Sequence, residues 1–165
     1  MVSPRVWRSR RFKSLSKNAQ LLFLYLVTSE HQTMAGAYRL LPEYGAADLR
    51  WSIEEFSSTL EEVQTSGLVL YDHETTEVMI EGWFKFHPPT GKMTTKGISN
   101  SLEKIDSEEL YEAGMRAFED ALQEQIEKNT QQQPTPHPNS SSAKANGVTP
   151  DKLLEQKRSA RLTKK

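Results

Sequence analysis

Residues 15–28 read Leu-Ser-Lys-Asn-Ala-Gln-Leu-Leu-Phe-Leu-Tyr-Leu-Val-Thr, and the segments on either side take their places from this stretch. Ser16 is a good helix N-cap, because its hydroxyl can accept a bond from an orphan backbone N–H of the first turn. Ala19, Leu22, Phe23 and Leu26 then recur at i, i+3, i+4 and i+7, the stripe of a core-facing helix. Leu21, Leu24, Tyr25 and Val27 fill much of the other side. A helix apolar nearly all round needs cover on more than one side. It is therefore the central helix of a small domain, or one that also meets a second subunit.

On its N-terminal side, residues 1–14 contain Arg5, Arg8, Arg10, Arg11 and Lys13 and no acid, with Val6, Trp7 and Phe12 interleaved. Two compatible readings apply. Trp7 and Phe12 dock the segment on the core, and its cations form an arm that contacts phosphates.

On the C-terminal side, Ser29 to Ala37 is a polar loop, and Ala37-Tyr38-Arg39-Leu40 is a short strand. Pro42 suits the first position of a helix over 43–49, with Tyr44, Ala47 and Leu49 turned inward. Arg50-Trp51 makes a tight turn. Ser52-Ile53-Glu54-Glu55 is a capping box opening a third helix that runs to about Ser66. Its inward face holds Ile53, Phe56, Leu60 and Val63, and Gly67 stops it. Leu68–Tyr71 and Val78–Ile80 flank the polar loop Asp72 to Glu77 as a hairpin. A strand-like Trp83-Phe84-Lys85-Phe86 follows, and His87-Pro88-Pro89 then breaks regular structure.

Helix, short strand, helix, turn, helix, hairpin is the order of a winged helix-turn-helix, with 52–66 in the recognition position and 68–80 as the wing. The expected class is mainly α with a small β-hairpin, the winged domain being followed by a C-terminal helix and a disordered basic tail. Residues 1–90 form the winged domain with its basic arm. Residues 91–128 are a connector, flexible over 91–97 and helical over 98–105, leading to an amphipathic helix over 107–128. That helix offers Leu110, Met115, Phe118, Ala121, Leu122 and Ile126, with Gly114 weakening it. Residues 129–149 are a low-complexity linker and 150–165 a basic tail.

The chain has 165 residues and a net charge of −1, with a mean hydropathy of −0.67. The small net charge conceals alternating blocks: +5 over 1–50, −8 over 51–83, +3 over 84–105, −6 over 106–128 and +5 over 129–165. Such blocks mark separate surfaces, or segments that pair with one another. The absence of cysteine excludes disulfides, thiolate metal sites and a cysteine nucleophile, and it fits a reducing cytoplasm. No stretch approaches the roughly 20 apolar residues of a membrane helix, and the apolar run at 21–27 is too short and too deep for a signal peptide.

No catalytic centre is legible. His31, His73, His87 and His137 are far apart and lack metal-ligand spacing. Neither a phosphate-cradling glycine loop nor a nucleophile elbow is present. The sequence therefore implies no enzyme, no cofactor and no metal. The third helix is also a poor DNA reader by charge. Residues 51–83 contain no Lys or Arg, the helix carries Glu54, Glu55, Glu61 and Glu62, and the wing adds Asp72, Glu74 and Glu77. DNA presents about one negative charge per 1.7 Å of axis and should repel this face. Ser57, Ser58, Gln64 and Thr65 are its available base readers. The expected nucleic-acid contacts are instead Arg5, Arg8, Arg10, Arg11, Lys13 and Lys17, with Arg39 and Arg50. The alternative is that the acidic helix and wing dock a protein while the apolar central helix builds a dimer.

The runs Arg11–Ser16, Ala19–Leu26, Ala35–Leu40, Gly67–Asp72 and Val78–Lys85 together resemble the N-terminal winged-helix domain of bacteriophage and prophage replication-initiation proteins. These replisome organisers are related in architecture to the DnaD type of primosomal protein. The resemblance covers roughly residues 5–90. It implies double-stranded DNA binding or self-assembly at a phage origin, with a homo-oligomer and a replisome or helicase-loader protein as partners. Residues 106–165 depart from the larger members, being shorter and more linker-like than their C-terminal helical DNA-binding domain.

Overall fold

Residues 3–131 are the ones described by the structure, a computed structural model. The tail and all but the first residues of the expected linker lie outside them. A 3-10 turn over Pro4–Arg8 and a one-turn helix α1 (Arg10–Lys13) precede helix α2 (Lys17–Thr28). Strand β1 (Ala37–Arg39), helix α3 (Pro42–Leu49), helix α4 (Ile53–Thr65) and strands β2 (Val69–Asp72) and β3 (Glu77–Ile80) follow. A second 3-10 turn (Trp83–Lys85) leads to helices α5 (Gly91–Leu102) and α6 (Glu108–Gln131). The described chain is thus mainly helical with one small antiparallel sheet, ordered β1-β3-β2.

The central helix begins as its sequence predicts. Ser16 Oγ accepts from Ala19 N–H at 3.2 Å, and Ala19, Leu22, Phe23 and Leu26 are buried. Its stripe packs on α4, which contributes Phe56, Leu60 and Val63. Burial of a large apolar side chain is worth about 1.5–3 kcal/mol. Leu22, Phe23 and Leu26 together therefore approach the roughly 5–15 kcal/mol of net stability typical of a domain. The surplus apolar side finds cover within the chain. Tyr25 reaches α3, its hydroxyl donating to Asp48 at 2.7 Å, and Val27 meets the Trp83 segment around a shared cavity. Leu21 stays half-exposed.

Strand β3 lies in the middle of the sheet and is buried along its length. Strand alternation sends its side chains to two faces. Val78 and Ile80 join the α2–α4 core. Met79 and Glu77 face the other way, toward α6: the Met79 sulfur lies near Gly114, and Glu77 accepts backbone N–H bonds from Asp106 and Ser107 at the start of that helix. Phe84 extends this second layer onto Phe118, with ring centroids 5.7 Å apart. Gly114, read as a weak point, permits this packing, since a Cβ there would stand 2.6 Å from Leu102 Cδ2.

Several local expectations are corrected. In α3 the buried positions are Gly45 and Ala46, while Tyr44 and Ala47 point outward. The Phe56 ring lies so close to Gly45 that a Cβ would be 2.3 Å from Cε2, so the helix turns its smallest residues inward. Ile53 is half-exposed at the first position of α4, ahead of the buried stripe. The capping box is half-made. Ser52 Oγ accepts from Glu55 N–H at 3.1 Å, but Glu55 turns to Asn18. The Trp83 run is a 3-10 turn rather than a strand, entered through Gly82 at a left-handed φ of 68°. Residues 91–97, expected as a flexible connector, are the first turns of α5, anchored further along by buried Ile98 and Leu102. Helix α6 continues to Gln131, past the expected linker start.

Candidate nucleic-acid interface

The basic segment is built from three serine-capped turns. Ser3 Oγ accepts from Arg5 N–H at 3.3 Å, Ser9 Oγ from Phe12 N–H at 3.4 Å, and Ser16 opens α2. Pro4, whose missing N–H costs nothing at a helix start, stands just inside the first turn. Phe12 is the anchor. It is buried and contacts the Phe23 ring edge-on at a centroid distance of 5.8 Å. Gln20 Nε2 donates to the carbonyls of Phe12 and Leu15, fixing the turn between α1 and α2. Arg11 Nη1 donates to Gly67 O at 2.6 Å and ties α1 to the end of α4. The basic arm is thus docked on the core through Phe12, as expected, and forms a folded ridge there.

Each predicted contact residue is exposed, but they are not all alike. Among the described residues, the side chains of Arg5, Arg8, Arg10, Lys13 and Lys17 make no hydrogen bond or ion pair. Arg11 is committed to Gly67. Arg39 Nε donates to Thr76 Oγ1 at 3.3 Å across the sheet. Arg50 occupies the left-handed region, φ 58°, in the turn between α3 and α4. Arg50 and Arg11 stand at opposite ends of α4, a helix of 13 residues and so roughly 20 Å long. Arg5 through Lys17 thus share one continuous folded segment, whereas Arg39 is engaged on β1 and Arg50 stands at the far end of α4 from Arg11.

Only Phe12 of the two aromatics is buried. Trp7 is 58% exposed and meets Phe12 in a T-shaped contact, with ring centroids 5.3 Å apart. Beside this ridge lies a cavity of about 130 Å³ lined by Val6, Phe12, Phe23, Val27, Trp83 and Phe86, with Arg5, Glu81 and His87 at its polar margin.

The acidic block is largely occupied by the fold itself. Glu62 caps α2 from outside, its carboxylate accepting from Ser16 N–H at 2.6 Å and from Ser16 Oγ–H at 2.7 Å. The Ser16 bonds hold the Glu62 carboxyl below its ordinary value. Glu55 accepts from Asn18 Nδ2 at 3.0 Å. Glu77 was expected in the wing loop but lies in β3, 2% exposed. Asp72 accepts from the Ser107 hydroxyl and from the N–H groups of Glu74 and Thr75, which lowers its pKa. Three of the four α4 base-reader candidates, Ser57 excepted, also make internal hydrogen bonds. Gln64 Nε2 donates to Tyr71 O, Ser58 Oγ to Glu55 O, and Thr65 Oγ1 to Glu61 O. Sequence patterning places Glu55, Glu62 and Gln64 on the outer side of α4, but does not show that α2 and β2 meet them.

Among the described residues there is no group of three His, Asp or Glu placed to hold a metal, and no helix is long and apolar enough to cross a membrane. His31, His73 and His87 each lie against an aromatic ring, of Tyr44, Tyr71 and Trp83 respectively. His137 is outside the described residues. No protein-family model, no curated protein and no solved structure matches this chain.

Proposed function

We propose that this chain is a winged helix-turn-helix protein that binds duplex DNA, and that it belongs to a phage or prophage, where it acts in replication initiation or its regulation. The observation that carries DNA binding is the folded ridge of Arg5, Arg8, Arg10, Lys13 and Lys17, five exposed cations without partners among the described residues. Cations in this condition lose little by exchanging water for phosphate oxygens, and their binding releases counterions. The winged-helix reading draws on the order of α2, β1, α3, α4 and the β2–β3 hairpin. The phage and replication reading draws on the resemblance over residues 5–90. Major-groove readout by α4 has little support, because Glu55, Glu62 and Gln64 bond to neighbouring elements and the acids left over would repel phosphate. The same engagement weakens the rival reading of α4 and the hairpin as an acidic protein-docking face.

The test is duplex-DNA affinity over a series of salt concentrations. Arg5, Arg8 and Arg10 are replaced together by Ala, and Arg11 is left in place because it holds the α1–α4 junction. Wild type should lose affinity steeply with salt, and the variant's log–log slope should be shallower by about 0.9 for each phosphate contact removed. Equal affinity and equal slope in the two proteins would remove the ridge from DNA binding.

A further inference from the structure

We infer that Trp7 is a stacking platform for an unpaired base, so that the preferred nucleic acid contains single-stranded nucleotides beside the phosphates held by the ridge. This rests on the proposed DNA binding and specifies its substrate.

Trp7 is 58% exposed, although a ring of that size would ordinarily be placed against the core. Trp83, by comparison, is partly buried and donates Nε1 to Met34 O at 3.0 Å. The Trp7 indole N–H has no acceptor among the described residues. The ring is nevertheless held in position. Its contact with Phe12 is edge-to-face, at an interplanar angle of 85°, and Phe12 in turn meets Phe23 at 60°. This aromatic ladder roots the indole in the α2 core while leaving much of its surface open.

The surroundings favour nucleic acid over a protein. Trp7 shares its 3-10 turn with Arg5 and Arg8. Side chains three apart in such a turn eclipse one another, so the two guanidiniums stand on one side and the indole on the next. Residues 1–29 contain six Lys or Arg and no Asp or Glu. The carboxylate that lines the adjoining cavity is Glu81. Cations that track a backbone, with an aromatic face set among them, match the way single strands are held, since every base offers a π-face once it leaves the duplex stack. Within a duplex that face is covered by neighbouring pairs, and Trp7 would gain nothing from it.

The experiment measures binding of the full chain, by anisotropy, to a labelled single strand of about 16 nucleotides and to its duplex at one salt concentration. The proteins are wild type, Trp7→Ala, Trp7→Phe and the Arg5, Arg8, Arg10 triple variant. Trp7→Ala should weaken single-strand binding by about five-fold or more, leave duplex binding unchanged, and be partly rescued in Trp7→Phe. The triple variant should weaken both. Single-strand affinity unchanged in Trp7→Ala, or both substrates weakened by one factor, would overturn the stacking assignment while phosphate binding stands. Trp7→Ala that alters self-association but not DNA binding would make the ring a protein contact and likewise overturn it. Wild type that binds neither substrate would remove the DNA reading itself.

Discussion

Glu77 shows how much a single residue contributes here. It is a fully buried carboxylate with Arg39 opposite it on one neighbouring strand and Asp72 on the other. Its two oxygens accept from two backbone donors, the Asp106 N–H shared between them at 3.0 and 3.1 Å and the Ser107 N–H at 2.8 Å. A carboxylate at the amino end of α6 also meets the positive end of the helix dipole. Hydrogen bonds to a charged group are worth about 1.5–3 kcal/mol each, and removing the acceptor leaves buried donors unsatisfied. Glu77→Ala should therefore destabilise the protein by about 3 kcal/mol or more, and Glu77→Gln by less, since an amide oxygen can still accept. Amide exchange locates the effect: protection should fall first at Asp106, Ser107 and the start of α6, ahead of α2 and α4. Uniform loss across the chain would show that Glu77 does not act through α6.

The contact between α2 and α4 was legible by halves. Periodicity alone identifies the apolar faces, and Ser16 and Ser52 are readable as caps because capping acts within one turn. What α4 does for α2 is not readable that way. Glu62 supplies a second, outside cap 46 residues away in the chain. Its lowered pKa makes this cap a function of pH. A carboxyl depressed in the folded state stabilises fully above its unfolded value, and that contribution is lost as pH falls through the folded value. Acidification from neutral pH should thus weaken the α2–α4 contact only at and below the ordinary carboxyl range. Glu62→Gln should flatten that part of the acid dependence and change little else in it. Urea midpoints measured from pH ~7 to ~3 check this. Asp72, whose pKa is also lowered, should keep a residual slope in the variant.

At the scale of the molecule, the sheet is a shared wall. One face carries Val69, Val78 and Ile80 into the α2–α4 core, and the other carries Met79 and Glu77 to α6. Residues 91–131 therefore complete the structure that the first 90 residues begin. A chain ended at residue 90 should melt at lower temperature and bind a hydrophobic dye, because Met79 and Phe84 lose their cover. Equal melting temperatures would make α5 and α6 an appendage. The charge blocks also acquire meaning at this scale. The −8 of residues 51–83 is spent in good part on caps and turns inside the fold, whereas the cations of residues 5–17, Arg11 excepted, remain free at the surface.

Features that depend on near neighbours are legible without the fold: the α2 stripe and its serine cap, Pro42 at the start of α3, the Gly67 stop, the hairpin, and the run of unopposed cations. These follow from backbone sterics, capping and the 3.6- and 2-residue periods, all of which act over a few residues. Tertiary structure alone decided that Arg11 belongs to Gly67, 56 residues away, that Glu77 belongs to Ser107, 30 residues away, that residues 91–97 become helical where α5 closes on its neighbours, and that Trp7 stays outside. The periodic pattern specifies which face of an element leaves water. Which distant group meets that face depends on how the elements close on one another, and no local pattern carries that information.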